Sequence, residues 1–150
     1  MALPVRKPLR LRDYDYAQGG AYFITICTKE KAHTLGTVVG GDAHIAPRVL
    51  LSPLGELVQA RLRTVPGMEK FVVMPNHLHF VTVLGSGPMW ASAPTAVRSF
   101  KTLVTKQFGA PVWQRGYYDH IIRDESDFLR IWRYIDENPA RWADDEYYTM

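Results

Sequence analysis

Two kinds of apolar spacing alternate along the chain. After Gly19-Gly20, residues 21–28 (Ala-Tyr-Phe-Ile-Thr-Ile-Cys-Thr) are rich in aromatic and β-branched side chains and predict a strand. Ser52-Pro53 supplies a capping residue followed by proline at the first helical position. Leu54, Leu57, Val58 and Leu62 then recur at helical spacing until Pro66-Gly67 ends the run. Strands are predicted at 69–74 and 77–84, separated by the break Pro75-Asn76. A second helix runs from about Pro94-Thr95 to Gly109, with Val97, Phe100, Leu103, Val104 and Phe108 as its buried stripe. Residues 113–123 read as a strand or extended segment. A third helix opens on the acidic run 124–127, where negative charge suits a helix N-terminus. It carries Phe128, Ile131, Trp132 and Ile135 on one face and stops at Asn138-Pro139. Residues 37–45 form a short hairpin or irregular excursion. The order β, α, β, β, α, β, α, with short turns between strands, implies an α+β fold in which antiparallel pairs form a sheet covered by helices.

No linker or repeat divides the 150 residues, so residues 1–150 are expected to form one domain, long enough to bury a core without staples. The apolar runs at 71–74 and 80–84 are too short to span a bilayer, and the N-terminus lacks the apolar stretch of a signal peptide. The expected location is therefore cytoplasmic, with no membrane partner. Cys27 is the single cysteine, which excludes an intrachain disulfide and a cysteine-based zinc knuckle; it reads as a small buried hydrophobe. The formal charge of +3 is unevenly spread. An arm of about residues 1–13 carries Arg6, Lys7, Arg10 and Arg12 ahead of its first acid, whereas the rest holds 14 basic and 15 acidic residues. Such an arm suits phosphate binding, because neutralising phosphates releases counterions; it suits a solubilising terminus equally well.

Side chains on a strand alternate faces, so His77 and His79 point one way while Leu78 and Phe80 point into the core. Two histidines on a central strand need partners for their ring nitrogens, and a metal ion is one such partner. On the third helix Tyr134 and Asn138 stand four residues apart along one border of the apolar stripe. A phenol with a pKa near ~10 attacks poorly at neutral pH unless its target is strongly polarised. A divalent cation on His77, His79 and the amide oxygen of Asn138 would polarise a phosphodiester for attack by Tyr134, and oxygen-rich coordination suits Mg2+ or Mn2+. The product is a covalent phosphotyrosine, and the bond energy is retained without ATP. His120 is the alternative third ligand, and three histidines would suit zinc. Two further readings use the same residues: a hydrolase with His77, His79 and His120 on zinc, and a non-catalytic module that recognises hairpin DNA or RNA. His33 and His44 sit in polar, turn-like surroundings and read as surface residues.

Met74-Pro75-Asn76-His77-Leu78-His79 resembles the histidine–hydrophobe–histidine motif of the HUH endonuclease superfamily. Tyr134-Ile135-Asp136-Glu137-Asn138-Pro139 resembles the tyrosine helix of its single-tyrosine transposases. With residues 10–16, the strand start at 20–23 and the block 113–120, the likeness runs in matching order over most of the chain, and it is greatest to the REP-associated tyrosine transposases. This resemblance implies an antiparallel sheet with a ferredoxin- or RRM-like core flanked by helices, and a divalent-metal site. It also implies cleavage and strand transfer of single-stranded DNA near hairpin-forming repeats, by a monomer or a homodimer. It makes His77 and His79 metal ligands, Tyr134 the nucleophile and Asn138 the third ligand, a position more often glutamine in related insertion-sequence enzymes. The DNA is expected to run over Arg6, Lys7, Arg10 and Arg12, with Arg98, Lys101 and Arg115, and to stack on Tyr14, Tyr16 or Trp90. Because the chain stops soon after the tyrosine helix, no extended C-terminal DNA-binding tail is expected.

Overall fold

Alternation of buried side chains along β1 (Ala21–Cys27) and β5 (His77–Val83) divides the molecule into two layers about one sheet. A computed structural model describes residues 20–41, 46–85 and 92–149. The remaining elements are β2 (Gly36–Val39), β3 (Arg48–Leu51), α1 (Pro53–Leu62), β4 (Met68–Val73), α2 (Ala93–Phe108), β6 (Tyr118–Ile121) and α3 (Glu125–Glu137). Short 3-10 turns occupy Lys29–Lys31 and Pro139–Asp144. The main sheet has the order β4-β5-β1-β6 with every pair antiparallel, and β2 and β3 form a separate hairpin. The fold is α+β, as the order of predicted elements implies.

Ile24, Ile26, Leu78 and Phe80 point to the face covered by α1 and α2, where they pack with Val58, Leu62, Val97 and Phe100. The opposite face carries Ala21, Val81 and the two histidines. There Phe128, Ile131 and Ile135 of α3 close a second, smaller core. Helix boundaries follow their caps. Ser52 Oγ accepts from the Gly55 amide at 3.0 Å, and Asp124 Oδ1 accepts from the Asp127 amide at 2.7 Å. Gly109 takes a left-handed φ of 87° to end α2. Gly55 lets α1 lie against backbone: a Cβ there would stand 2.0 Å from the Leu35 carbonyl oxygen. Cys27 is buried as expected, and among the described residues no helix is long and apolar enough to cross a membrane.

Three expectations need correction. Of the hairpin or excursion read at 37–45, residues 37–39 belong to β2, which pairs with β3 at Arg48–Leu51, a strand the pattern did not show, and residues 42–45 lie outside the described residues. The segment 113–123 is a strand only over Tyr118–Ile121, with Trp113 making an isolated bridge to Thr28. On α2 the buried arc is Ala93, Ala96, Val97, Phe100 and Val104. Leu103 is 41% exposed at its border, and Phe108, the last residue of the helix, is 48% exposed.

Helix α3 crosses the histidine face from one sheet edge to the other. Near its start Asp127 accepts from His120 Nε2 of β6 at 2.6 Å, and near its end Asp136 pairs with Lys70 of β4 at 2.5 Å. The Lys70 ammonium also lies 4.2 Å from the Trp132 ring centroid.

Candidate metal centre and nucleophile

The register of β1 on β5 sets Thr25 opposite His79 and Cys27 opposite His77. Thr25 Oγ1 and His79 Nδ1 share a 2.7 Å hydrogen bond in the interior. His77 Nδ1 lies 2.8 Å from Asn76 Oδ1. Asn76 Nδ2 donates to the Tyr147 carbonyl at 2.7 Å, so Oδ1 is the atom left for His77, and Nδ1 of that ring must be the donor. His77 Nε2 therefore carries a lone pair, and partners of this kind fix ring orientation in metal sites.

Both imidazoles are almost fully enclosed, His77 at 0% and His79 at 1% exposure. Burial pushes the His77 imidazole down to about 4, against the upward pull of the Asp145 carboxylate and the Asn138 amide. Burial, reinforced by His77, also holds His79 well below the usual histidine range. At neutral pH the pair is uncharged, the state in which imidazole binds a cation.

The third helix delivers the remaining groups. Tyr134 packs edge-on against His79 at 5.2 Å between ring centroids and against Phe23 at 6.1 Å. Asn138, one turn further on, is buried, and its Nδ2 reaches the Tyr134 carbonyl at 3.5 Å. Burial pushes the Tyr134 hydroxyl up to about 12; the Asp145 carboxylate adds to the rise and the Asn138 amide opposes it. Three donor atoms of this cluster, His77 Nε2, His79 Nε2 and Asn138 Oδ1, are buried without a hydrogen-bond partner. Unsatisfied buried acceptors are costly, and here they are the three atoms expected to bind a metal. The residues fit a divalent cation.

His120, the alternative ligand, is engaged elsewhere: its Nε2 donates to Asp127, and its side chain is 46% exposed. It lines a cavity of about 350 Å3 that His79 and Tyr134 also line. A second cavity, of about 600 Å3, lies beyond Tyr134 and is flanked by Arg130, Arg133 and Arg141. The other expected DNA contacts are dispersed. Arg98 and Lys101 belong to α2 on the far side of the sheet, and the Lys101 ammonium donates to the carbonyls of Gln114 and Gly116, next to Arg115. Arg6, Lys7, Arg10, Arg12, Tyr14, Tyr16, Trp90 and His44 lie outside the described residues. His33 is exposed, as expected, and bonds Thr149 Oγ1 at 2.7 Å.

Sequence reasoning missed the segment after α3. Residues 139–149 fold back over the histidines, with Tyr147 4.7 Å and Trp142 6.0 Å from His77 between ring centroids. Asp145 Oδ2 stands 4.0 Å from His77 Nε2 and accepts from the Tyr134 hydroxyl at 3.4 Å. Among the described residues, His77, His79 and Asp145 offer ligand atoms all within 4.8 Å of one another, a group able to hold a metal ion. No periodicity marks this segment; its one signal is the acidic run Asp144-Asp145-Glu146 among aromatic residues close behind the tyrosine helix.

No family model matches the sequence. The chain is 33% identical to an uncharacterized protein of Haemophilus influenzae, over 96% of this chain and 93% of that protein. In three dimensions it is similar to a REP-associated tyrosine transposase solved bound to a REP hairpin, with a TM-score of 0.61 and 22% identity. That match covers 82% of this chain and 68% of the other.

Proposed function

Because the chain belongs to one family with the Haemophilus influenzae protein and has the fold of a REP-associated tyrosine transposase, we propose that it nicks and rejoins single-stranded DNA beside hairpin elements. The resemblance of its histidine and tyrosine motifs to that transposase family supports the same reading. The observation that carries it is the gathering of three partnerless donor atoms, on His77, His79 and Asn138, around the Tyr134 phenol.

His77, His79 and Asn138 would hold Mg2+ or Mn2+, which supplies Lewis-acid polarisation of the scissile phosphodiester. Tyr134 is the nucleophile. Its oxygen forms a bond to phosphorus while the bond from phosphorus to one bridging oxygen breaks, and that oxygen takes up a proton to become a free hydroxyl end. The phenolic proton passes to solvent, and the departing oxygen draws its proton from solvent, so the exchange balances. Exchange of one phosphodiester for another keeps the bond energy, so the reverse attack by a hydroxyl end rejoins a strand. Thr25 and Asn76 keep the two Nδ1 atoms occupied and the Nε2 atoms aimed at the site. Arg133 lines the cavity beside Tyr134 and suits a phosphate next to the cleavage point, whereas Arg130 is paired with Asp127, Arg141 is paired with Glu137, and Asp144 and Glu146 line the same cavity.

The test is a hairpin oligonucleotide with a single-stranded flank, incubated with Mn2+ and resolved on a denaturing gel. The wild type gives a covalent protein–DNA adduct. Tyr134→Phe gives none but retains hairpin binding within about threefold, because loss of one hydroxyl leaves the phosphate contacts that dominate affinity in place. An adduct from Tyr134→Phe would refute the nucleophile. Metal-independent binding without any adduct from the wild type would identify a recognition module instead.

A further inference from the structure

We propose that Asp145 is a fourth protein ligand to the divalent cation, brought to the site by the segment that follows α3. The inference rests on the metal-centre reading above and extends it to a residue that neither the histidine motif nor the tyrosine helix contains.

The Asp145 side chain is 1% exposed, a position that a carboxylate occupies only when its charge is balanced or its lone pairs are satisfied. Oδ1 accepts from the Tyr147 amide at 2.8 Å. Oδ2 has a long 3.4 Å contact from Tyr134 and stands 4.0 Å from His77 Nε2. Among the described residues His77 is the one ion-pair candidate for Asp145, and at 4.0 Å its Nε2 stops short of hydrogen-bond distance. A buried carboxylate thus faces two imidazoles whose Nε2 atoms have no hydrogen-bond partner, and an amide oxygen in the same condition. A cation at the centre of these atoms answers all four deficits together.

The span supports this. One ligand atom from each of His77, His79 and Asp145 lies within 4.8 Å of the other two, whereas ligands about 2.1 Å from a common octahedral ion lie about 3.0 Å apart at right angles and about 4.2 Å apart across it, so binding draws the groups together by on the order of 1 Å. Asp145 is also held in place: Oδ1 is bonded within its own turn, while the Tyr147 carbonyl is clamped by Asn76, the residue that orients His77. The ligands would then be two nitrogens and two oxygens, one oxygen carrying the only formal charge. A charged ligand raises affinity for the ion before any phosphate arrives, so the protein should load with metal in the absence of DNA.

The experiment is Mn2+ binding to the full-length protein without DNA, followed by titration calorimetry and by loss of the free-ion electron paramagnetic resonance signal. Asp145→Asn, nearly isosteric, should bind at least about tenfold more weakly than the wild type while melting at a similar temperature. Binding within about twofold of the wild type would overturn the assignment. His79→Ala separates this from the parent reading: if it too binds Mn2+ as the wild type does, the histidine centre itself is wrong. Trypsin cleavage after the exposed Arg141 gives a second readout that needs no variant. Saturating Mn2+ should slow that cut several-fold in the wild type by fixing residues 139–149, and an unchanged rate would overturn the proposal even if Asp145→Asn failed to fold.

Discussion

Acid should weaken the metal-free protein through His77 before it reaches most carboxylates. The folded state holds this imidazole at about 4, whereas the unfolded chain releases it to its ordinary value of 6.5. Between those limits the unfolded state binds a proton that the folded state refuses. Stability is therefore complete above pH 6.5 and is lost as pH falls toward 4. At about 1.4 kcal/mol per pH unit across this window, His77 alone removes roughly 3 kcal/mol, a large share of a typical domain's stability. His79, shifted the same way, adds to the loss. The assay is urea unfolding followed by tryptophan fluorescence at intervals from pH 7 to pH 4, in the presence of a chelator. His77→Asn, which keeps a polar side chain but cannot titrate there, should flatten the acid limb by roughly 3 kcal/mol. Saturating Mn2+ should restore stability to the wild type near neutrality and lose that power as the imidazoles protonate. An acid limb equally steep in wild type and variant would refute the claim that His77 is held neutral by enclosure.

Two further outcomes probe how the site is supported. Gly55→Ala would ordinarily gain about 1 kcal/mol within a helix, but its Cβ would meet the Leu35 carbonyl oxygen at 2.0 Å, so a net loss of about 2 kcal/mol is expected. A higher melting temperature would show that α1 does not press on that backbone. Thr25→Val removes the hydroxyl bonded to His79 and should cost about 1 kcal/mol in stability and about tenfold in Mn2+ affinity. An unchanged titration would mean that His79 needs no help from β1.

What the sequence reveals depends on whether a feature repeats. Phe128, Ile131, Trp132 and Ile135 recur with the helical period, so residue spacing alone marks out α3, together with the one-turn separation of Tyr134 and Asn138. His77 and His79 share a face because strand alternation is local. The partners of those groups are not local. Thr25 and His79 meet because β1 lies in one register on β5, and a one-residue slip would replace Thr25 by a core isoleucine. Asp145 is harder still, since residues 139–149 are held by side-chain contacts such as Asn76 with Tyr147, which carry no period. The exposure of Leu103 and Phe108 has a similar origin: a helical wheel marks which residues could be buried, and the extent of the neighbouring layer decides which are.

Helix α3 is tethered at both sheet margins, by His120 at one and Lys70 at the other, and bears the phenol and the Asn138 amide on adjacent turns. It therefore behaves as a girder with two fittings bolted a fixed interval apart. Mutational drift can tilt or translate the girder, but it moves both fittings at once and preserves the interval between them. Adjustment of the reacting distance must instead come from the histidine strand or from the closing turn, and selection for altered chemistry should accumulate its changes there.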